Sequence, residues 1–188
     1  MTATSLLQQS GSDVRQILID VEKLTRLDEK SLSKKPADGK WSIAQCLQHM
    51  NCYSRYYLPA IESGLDKYNG NSSAGFKPGL LGGYFTKLMK TDPSGNVKSK
   101  MKAPKNATPE SNPNGKKELD EFITHQHKLL ELLYRSEKSN LMRIKIPVSI
   151  MPFIKMRLGD TFGFFIEHEK RHLKQIERVL ASLKIQTT

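Results

Sequence analysis

A length of 188 residues, 37% of them hydrophobic, suits one domain of ordinary size with a real core, and the formal net charge of +11 invites a search for anionic partners. No stretch approaches the ~20 consecutive apolar residues that a helix needs to cross a bilayer, so no membrane partner is expected. Met1 to Ser10 lacks the basic start and apolar middle of a secretory signal, so a cytoplasmic protein is expected.

Apolar residues spaced three and four apart predict four long helices. The first runs from about Ser5 to Leu27 and leads into a short loop with Lys34, Lys35 and Pro36. Ser42 opens the second as an N-cap, with Gln45 three residues later completing a capping box, and the helix continues to about Tyr68. Ile43, Cys46, Met50, Tyr53, Tyr57 and Ile61 mark its inner stripe, and His49 lies on the edge of that stripe. Cys46 and Cys52 stand about 240° apart around this helix, too badly aimed to bridge, and reduced thiols agree with a cytoplasmic setting. Cys46 is one turn before His49, although a thiol there reads first as core packing.

A long insert follows, approximately residues 69–117, rich in Gly, Pro, Ser, Asn and Lys. So long a structureless connection is unusual in a compact domain. A short amphipathic helix is therefore expected at about Leu80 to Lys90, with Leu81, Tyr84, Phe85 and Leu88 packing over one bundle end. Ser94 to Gly115 is expected to be irregular and mobile. The third long helix spans about Lys117 to Glu137 and the fourth about Met156 to Leu183, with Pro147 and Pro152 breaking the chain between them. Apart from Arg143 to Val148, no alternating run suggests a strand.

The charge has a location. Residues 69–117 carry nine lysines and no arginine against one aspartate and one glutamate, a net +7. No helix-turn-helix or zinc-finger pattern accompanies them, and no arginine–aromatic interleaving, which argues against a nucleic-acid partner. A solvated loop explains the lysines most simply, and they could also steer an anionic substrate.

The strongest chemical signal is His168-Glu169-Lys170-Arg171-His172. On a helix, residues four apart share a face, so two imidazoles can hold one divalent cation. Leu158, Phe162, Phe165, Ile176, Val179 and Leu183 form a buried stripe with one gap, and His168 and His172 fill it. Buried imidazoles need partners, because an unpaired polar group inside a core costs about 1–3 kcal/mol. A metal would supply them; so would buried carboxylates. The protease reading of His-Glu-x-x-His requires a third ligand downstream, and Arg178 stands where a metzincin would place histidine. His49 has the right setting to face the pair. His125 and His127 lie about 200° apart on the third helix and cannot both point inward.

Gly-Lys-Trp-Ser-Ile-Ala-Gln-Cys-Leu-Gln-His, followed much later by Leu-Gly-Asp-Thr-Phe-Gly-Phe-Phe-Ile-Glu-His-Glu-Lys-Arg-His-Leu-Lys-Gln-Ile, resembles the DinB/YfiT-like superfamily. Gly-Leu-Leu-Gly-Gly-Tyr-Phe-Thr-Lys-Leu-Met-Lys resembles the long insert of one branch of it. The resemblance spans nearly the whole chain. It implies a four-helix bundle, commonly a homodimer, with a divalent metal on His49, His168 and His172. The expected fold is therefore an all-α four-helix bundle forming a single domain over residues 1–188. Because the long connection can join parallel neighbours, an up-down-down-up arrangement is expected.

Three neutral imidazoles leave a coordination position open, as in catalytic sites. The resemblance implies a metal-dependent hydrolase or a transferase of a low-molecular-weight thiol, acting on a small molecule, with zinc or nickel as the metal. Glu169 is a candidate base, although about 100° of rotation from His168 turns it away and makes a surface position the competing reading. The alternative function is a non-catalytic metal-binding or stress-response bundle. A third reading is a bundle whose histidines hold no metal.

Overall fold

The computed structural model describes residues 1–91 and 102–187. Helices α1 (Ala3–Glu22), α2 (Glu29–Ser33), α3 (Ile43–Asp66), α4 (Leu80–Met89) and α5 (Gly115–Arg135) are followed by a hairpin of β1 (Lys145–Val148) and β2 (Met151–Arg157), and by α6 (Leu158–Leu183). No described helix is long and apolar enough to cross a membrane.

Local chemistry sets the helix starts. Ser42 caps α3: its hydroxyl accepts from the Gln45 N–H while the Gln45 side chain accepts from the Ser42 N–H, the predicted capping box. Thr2 caps α1, Asp28 caps α2 and Asn114 caps α5, each side chain accepting from the N–H three residues on. The loop expected after α1 contains α2, whose Glu29 carboxylate accepts from the Gly115 and Lys116 N–H groups at 2.8 and 2.9 Å. It thereby serves orphan donors at the start of another helix. Sequence spacing does not show such a contact because it links distant segments.

The four long helices pack in a ring. α1 lies against α5 and α6, and α3 also lies against α5 and α6, which puts α1 diagonally across from α3 and α5 diagonally across from α6. Val14, Ile17 and Val21 of α1, Leu47, Met50 and Ile61 of α3, Phe122, Leu129 and Leu132 of α5, and Phe162, Phe165 and Ile176 of α6 are at most 2% exposed. Full burial of each such side chain contributes about 1.5–3 kcal/mol. Along α3 and α5 the polar contacts advance in step: Gln48 and Asn51 meet Glu118, Arg55 meets Glu121, Glu62 meets Lys128, and Asp66 meets Arg135.

Two expectations are corrected. The chain is not wholly helical, because β1 and β2 pair antiparallel, with Lys145 opposite Arg157 and Ile146 opposite Met156. Pro147 and Pro152, read as breaks, lie within this two-stranded edge, where the missing donor is tolerated, and a register irregularity follows Pro147. The strand takes Met156 and Arg157, so the last helix begins at Leu158.

The insert helix also presents a different face. Leu80, Leu81 and Tyr84 are exposed, Phe85 and Leu88 are partly buried against the core, and Gly82 and Met89 are buried. α4 lies along α6 because Gly82 has no side chain; an added Cβ would run into the side chain of Asp160. The Asp160 carboxylate in turn accepts from the Gly79 N–H at 3.0 Å, at the start of α4. Gly82→Val is expected to destabilise the fold by about 1–3 kcal/mol through overpacking. Thermal melts should show a lowered Tm for this variant, whereas Gly83→Ala, whose Cβ would meet nothing closer than Pro78 at 3.7 Å, should melt like the parent.

Of the irregular stretch expected at Ser94 to Gly115, residues up to 101 lie outside the described residues. From Lys102 onward the chain forms only the 3-10 turn Lys105–Ala107 before α5, and it is tied to α3. Gln45 donates to the Glu110 carbonyl at 2.8 Å, and Gln48 accepts from the Glu110 N–H at 2.7 Å.

Candidate metal centre

His49 on α3 and His168 and His172 on α6 meet where the two helices pack. One ring nitrogen from each lies within 4.8 Å of the others, and the side chains are 3%, 4% and 9% exposed. The Nε2 atoms of His49 and His168 are 3.2 Å apart. Two nitrogens bound to one tetrahedral ion at about 2.0–2.1 Å would stand about 3.3 Å from each other. The spacing fits shared coordination.

The tautomers agree with it. A carbonyl only accepts, so the 2.6 Å contact between His49 Nδ1 and the Ala107 oxygen fixes the proton on Nδ1 and turns the Nε2 lone pair toward the centre. His172 Nδ1 does the same with the Gln175 side-chain oxygen at 3.1 Å. His168 Nδ1 is buried with no hydrogen-bond partner.

Burial pulls all three imidazoles below their ordinary pKa. For His49 desolvation outweighs the Ala107 bond, which acts in the opposite sense. His168 is lowered strongly by burial and then by the nearby His172, His49 and Arg171 charges. His172 is brought down to about 3, chiefly by desolvation, then by His49. The rings are therefore neutral near pH 7, the state in which imidazole offers a lone pair to a metal. Three neutral nitrogen donors suit a borderline ion such as zinc or nickel.

The centre opens on a cavity of about 510 Å³. Trp41 stands over it, its ring 5.0 Å from His49 and 6.1 Å from His172, and Tyr53 lies 4.2 Å from His168. Met89, at the end of α4, closes one side. Trp41 and Ala107 were not foreseen as parts of the site. Trp41 directly precedes the Ser42 cap, a position that signals helix entry rather than a binding wall. Ala107 acts only through its backbone.

Glu169 is not at the surface. It is fully buried, and its Oε1 accepts from the Gln126 amide on α5 at 2.8 Å. Because α5 and α6 are diagonal, this bond crosses the middle of the bundle. Burial pushes the carboxyl up to about 8, against the Gln126 bond. Glu169 does not line the cavity. Cys46 is also fully buried and packed in the core, its thiol pushed up to about 12 by desolvation, and it is not in the histidine group. His125 is half-buried, with Nδ1 3.0 Å from Asn51, and His127 is exposed. Neither joins the centre.

The profile of the DinB superfamily matches residues 13–176. Among solved structures, one similar chain is YfiT from Bacillus subtilis, described as a probable metal-dependent hydrolase with an unusual four-helix bundle topology. The likeness covers 96% of this chain and 89% of that one at a TM-score of 0.57 and 9% identity, which establishes a shared fold. A search among curated proteins finds no significant match.

Proposed function

The chain belongs to the DinB superfamily, and from that premise we propose that it is a metal-dependent hydrolase of a small molecule, with one zinc or nickel ion on His49, His168 and His172. One observation carries this reading: three neutral imidazoles converge at the wall of a cavity, with no fourth protein ligand among the described residues. A divalent metal there supplies Lewis acidity, which brings proton loss from a water or a thiol close to neutral pH. Transfer of a low-molecular-weight thiol uses the same property and is the second chemistry to assay.

The protein's own groups position the reaction. Ala107 and Gln175 hold two ligand rings at fixed tautomers, while Trp41, Tyr53 and Met89 give the cavity apolar wall. Glu169, turned into the bundle, fixes α6 against Gln126. A role for it as general base would require a path from the bundle interior to the cavity. The in-step contacts of α3 and α5 favour the up-down-down-up order of helix directions. A cytoplasmic setting and a homodimer complete the reading, the latter favoured by the exposed apolar side chains Leu80, Leu81, Tyr84 and Phe153.

Protein purified without a His tag should contain about one divalent ion per chain, as a single three-histidine site requires. It should sediment as a dimer at micromolar concentration. Against panels of small esters and of thiol–electrophile pairs, chelation should abolish activity and zinc or nickel should restore it. Protein that neither contains nor takes up metal would overturn the reading.

A further inference from the structure

We propose that the cavity beside His49, His168 and His172 is an anion site, and that the substrate carries a carboxylate or phosphate group received by Lys40, Lys102 and Arg171. The proposal rests on the metal reading only for where the reaction occurs. The anion site itself follows from the side chains of the wall.

Three segments distant in sequence deliver these cations to one cavity: the turn before α3, the strand of chain before the 3-10 turn, and α6 itself. Among the described residues, no aspartate or glutamate lines the same wall. Lys40 and Lys102 are exposed, as suits side chains that meet a ligand arriving from solvent, and Arg171 is half-buried beside His172. Arg171 donates to the Leu88 carbonyl at 3.4 Å, which holds it near the end of α4. Arg178 adds further positive potential at Arg171.

Charge balance points the same way. The three imidazoles are neutral ligands and would leave the charge of a divalent ion uncompensated; of the two acids that flank His168, Glu169 is turned into the bundle, where its Oε1 accepts from Gln126, and Glu167 pairs with Lys170. A negative group entering the cavity therefore meets positive charge from each of these directions, in a partly desolvated site where such interactions are weakly screened. The volume, about 510 Å³, suits a small molecule. Trp41 and Tyr53 give that molecule apolar surface to lie against, so the anionic group is one end of an organic ligand.

Trp41, the only tryptophan in the chain, reports on the cavity. Its fluorescence should respond saturably to succinate or to inorganic phosphate at constant ionic strength, and not to the neutral succinamide. The tighter of the two anions identifies the group. Arg171→Gln should weaken that binding about tenfold, the loss expected for one charge-assisted contact. The double variant Lys40→Gln, Lys102→Gln changes only exposed side chains, keeps the fold, and should weaken binding comparably. Metal content, measured on the same samples, should stay at the parent level. Equal binding of succinamide, or anion affinity unchanged in both variants, would overturn the proposal while leaving the metal reading intact. Cation-dependent succinate or phosphate binding by protein that takes up no metal would sustain the anion site and remove the metal reading.

Discussion

Replacing His168 with alanine is expected to lower metal affinity at least a hundredfold. This ring touches both other members of the trio, with Nε2 3.2 Å from that of His49 and its centroid 4.6 Å from that of His172. Loss of a partner that merely orients a ligand costs about 10–100-fold, and removal of a ligand costs more. His49→Ala and His172→Ala should behave alike, because a two-nitrogen remnant cannot hold the ion against water. The exposed His127 is the control, and His127→Ala should keep full metal content. Metal analysis after gel filtration, with circular dichroism to verify the fold, reads the difference. Unchanged metal content in the triple alanine variant would remove the site assignment.

Glu169 sets a pH dependence of stability that is best measured on metal-free protein. Its folded-state pKa, about 8, lies above its ordinary value of 4.5 because burial penalises the carboxylate. Between those values the native state holds a proton that the unfolded state has released. Stability therefore falls as pH rises from about 4.5 toward 8 and stops falling on this account once the native carboxyl has ionised. The size of a shift this large corresponds to a loss on the order of 3–5 kcal/mol across the window. Glu169→Gln keeps the shape and carries no titrating proton, so its urea midpoint should lose most of that slope and exceed the parent's at pH 8. Parallel pH profiles for the two proteins would show that Glu169 is ionised throughout.

The contrast between His168 and Glu169 marks the limit of what was legible in the sequence. A helix with a single apolar stripe puts one face inward, and that picture locates His168 and His172 correctly, in the gap of the Leu158-to-Leu183 pattern. But α6 contacts α1, α3 and α4, so its buried arc is wider than one stripe. The rotation that seemed to send Glu169 toward solvent sends it to the bundle axis instead. The capping box at Ser42 and Gln45 was legible because both partners are three residues apart. The grip of Ala107 on His49 spans 58 residues and uses a carbonyl, which every residue type possesses. The first strand of the hairpin lies within the Arg143 to Val148 run that the sequence marks, whereas β2, with Pro152 and Phe153 both exposed, lacks the alternation by which a half-buried strand is recognised.

The in-step contacts of α3 and α5 join two helices whose connection is the longest in the chain, and Gln48, Asn51 and Arg55 find their partners 63 to 70 residues away. Doubling the length of such a loop costs only about 0.6 kcal/mol, so its length weighs little on equilibrium stability. It weighs more on the route to the native state, because non-local contacts must wait for the loop to close. The carbonyl that fixes the tautomer of His49 belongs to the far end of that loop. Closing that loop therefore serves the scaffold and the chemistry of the centre together.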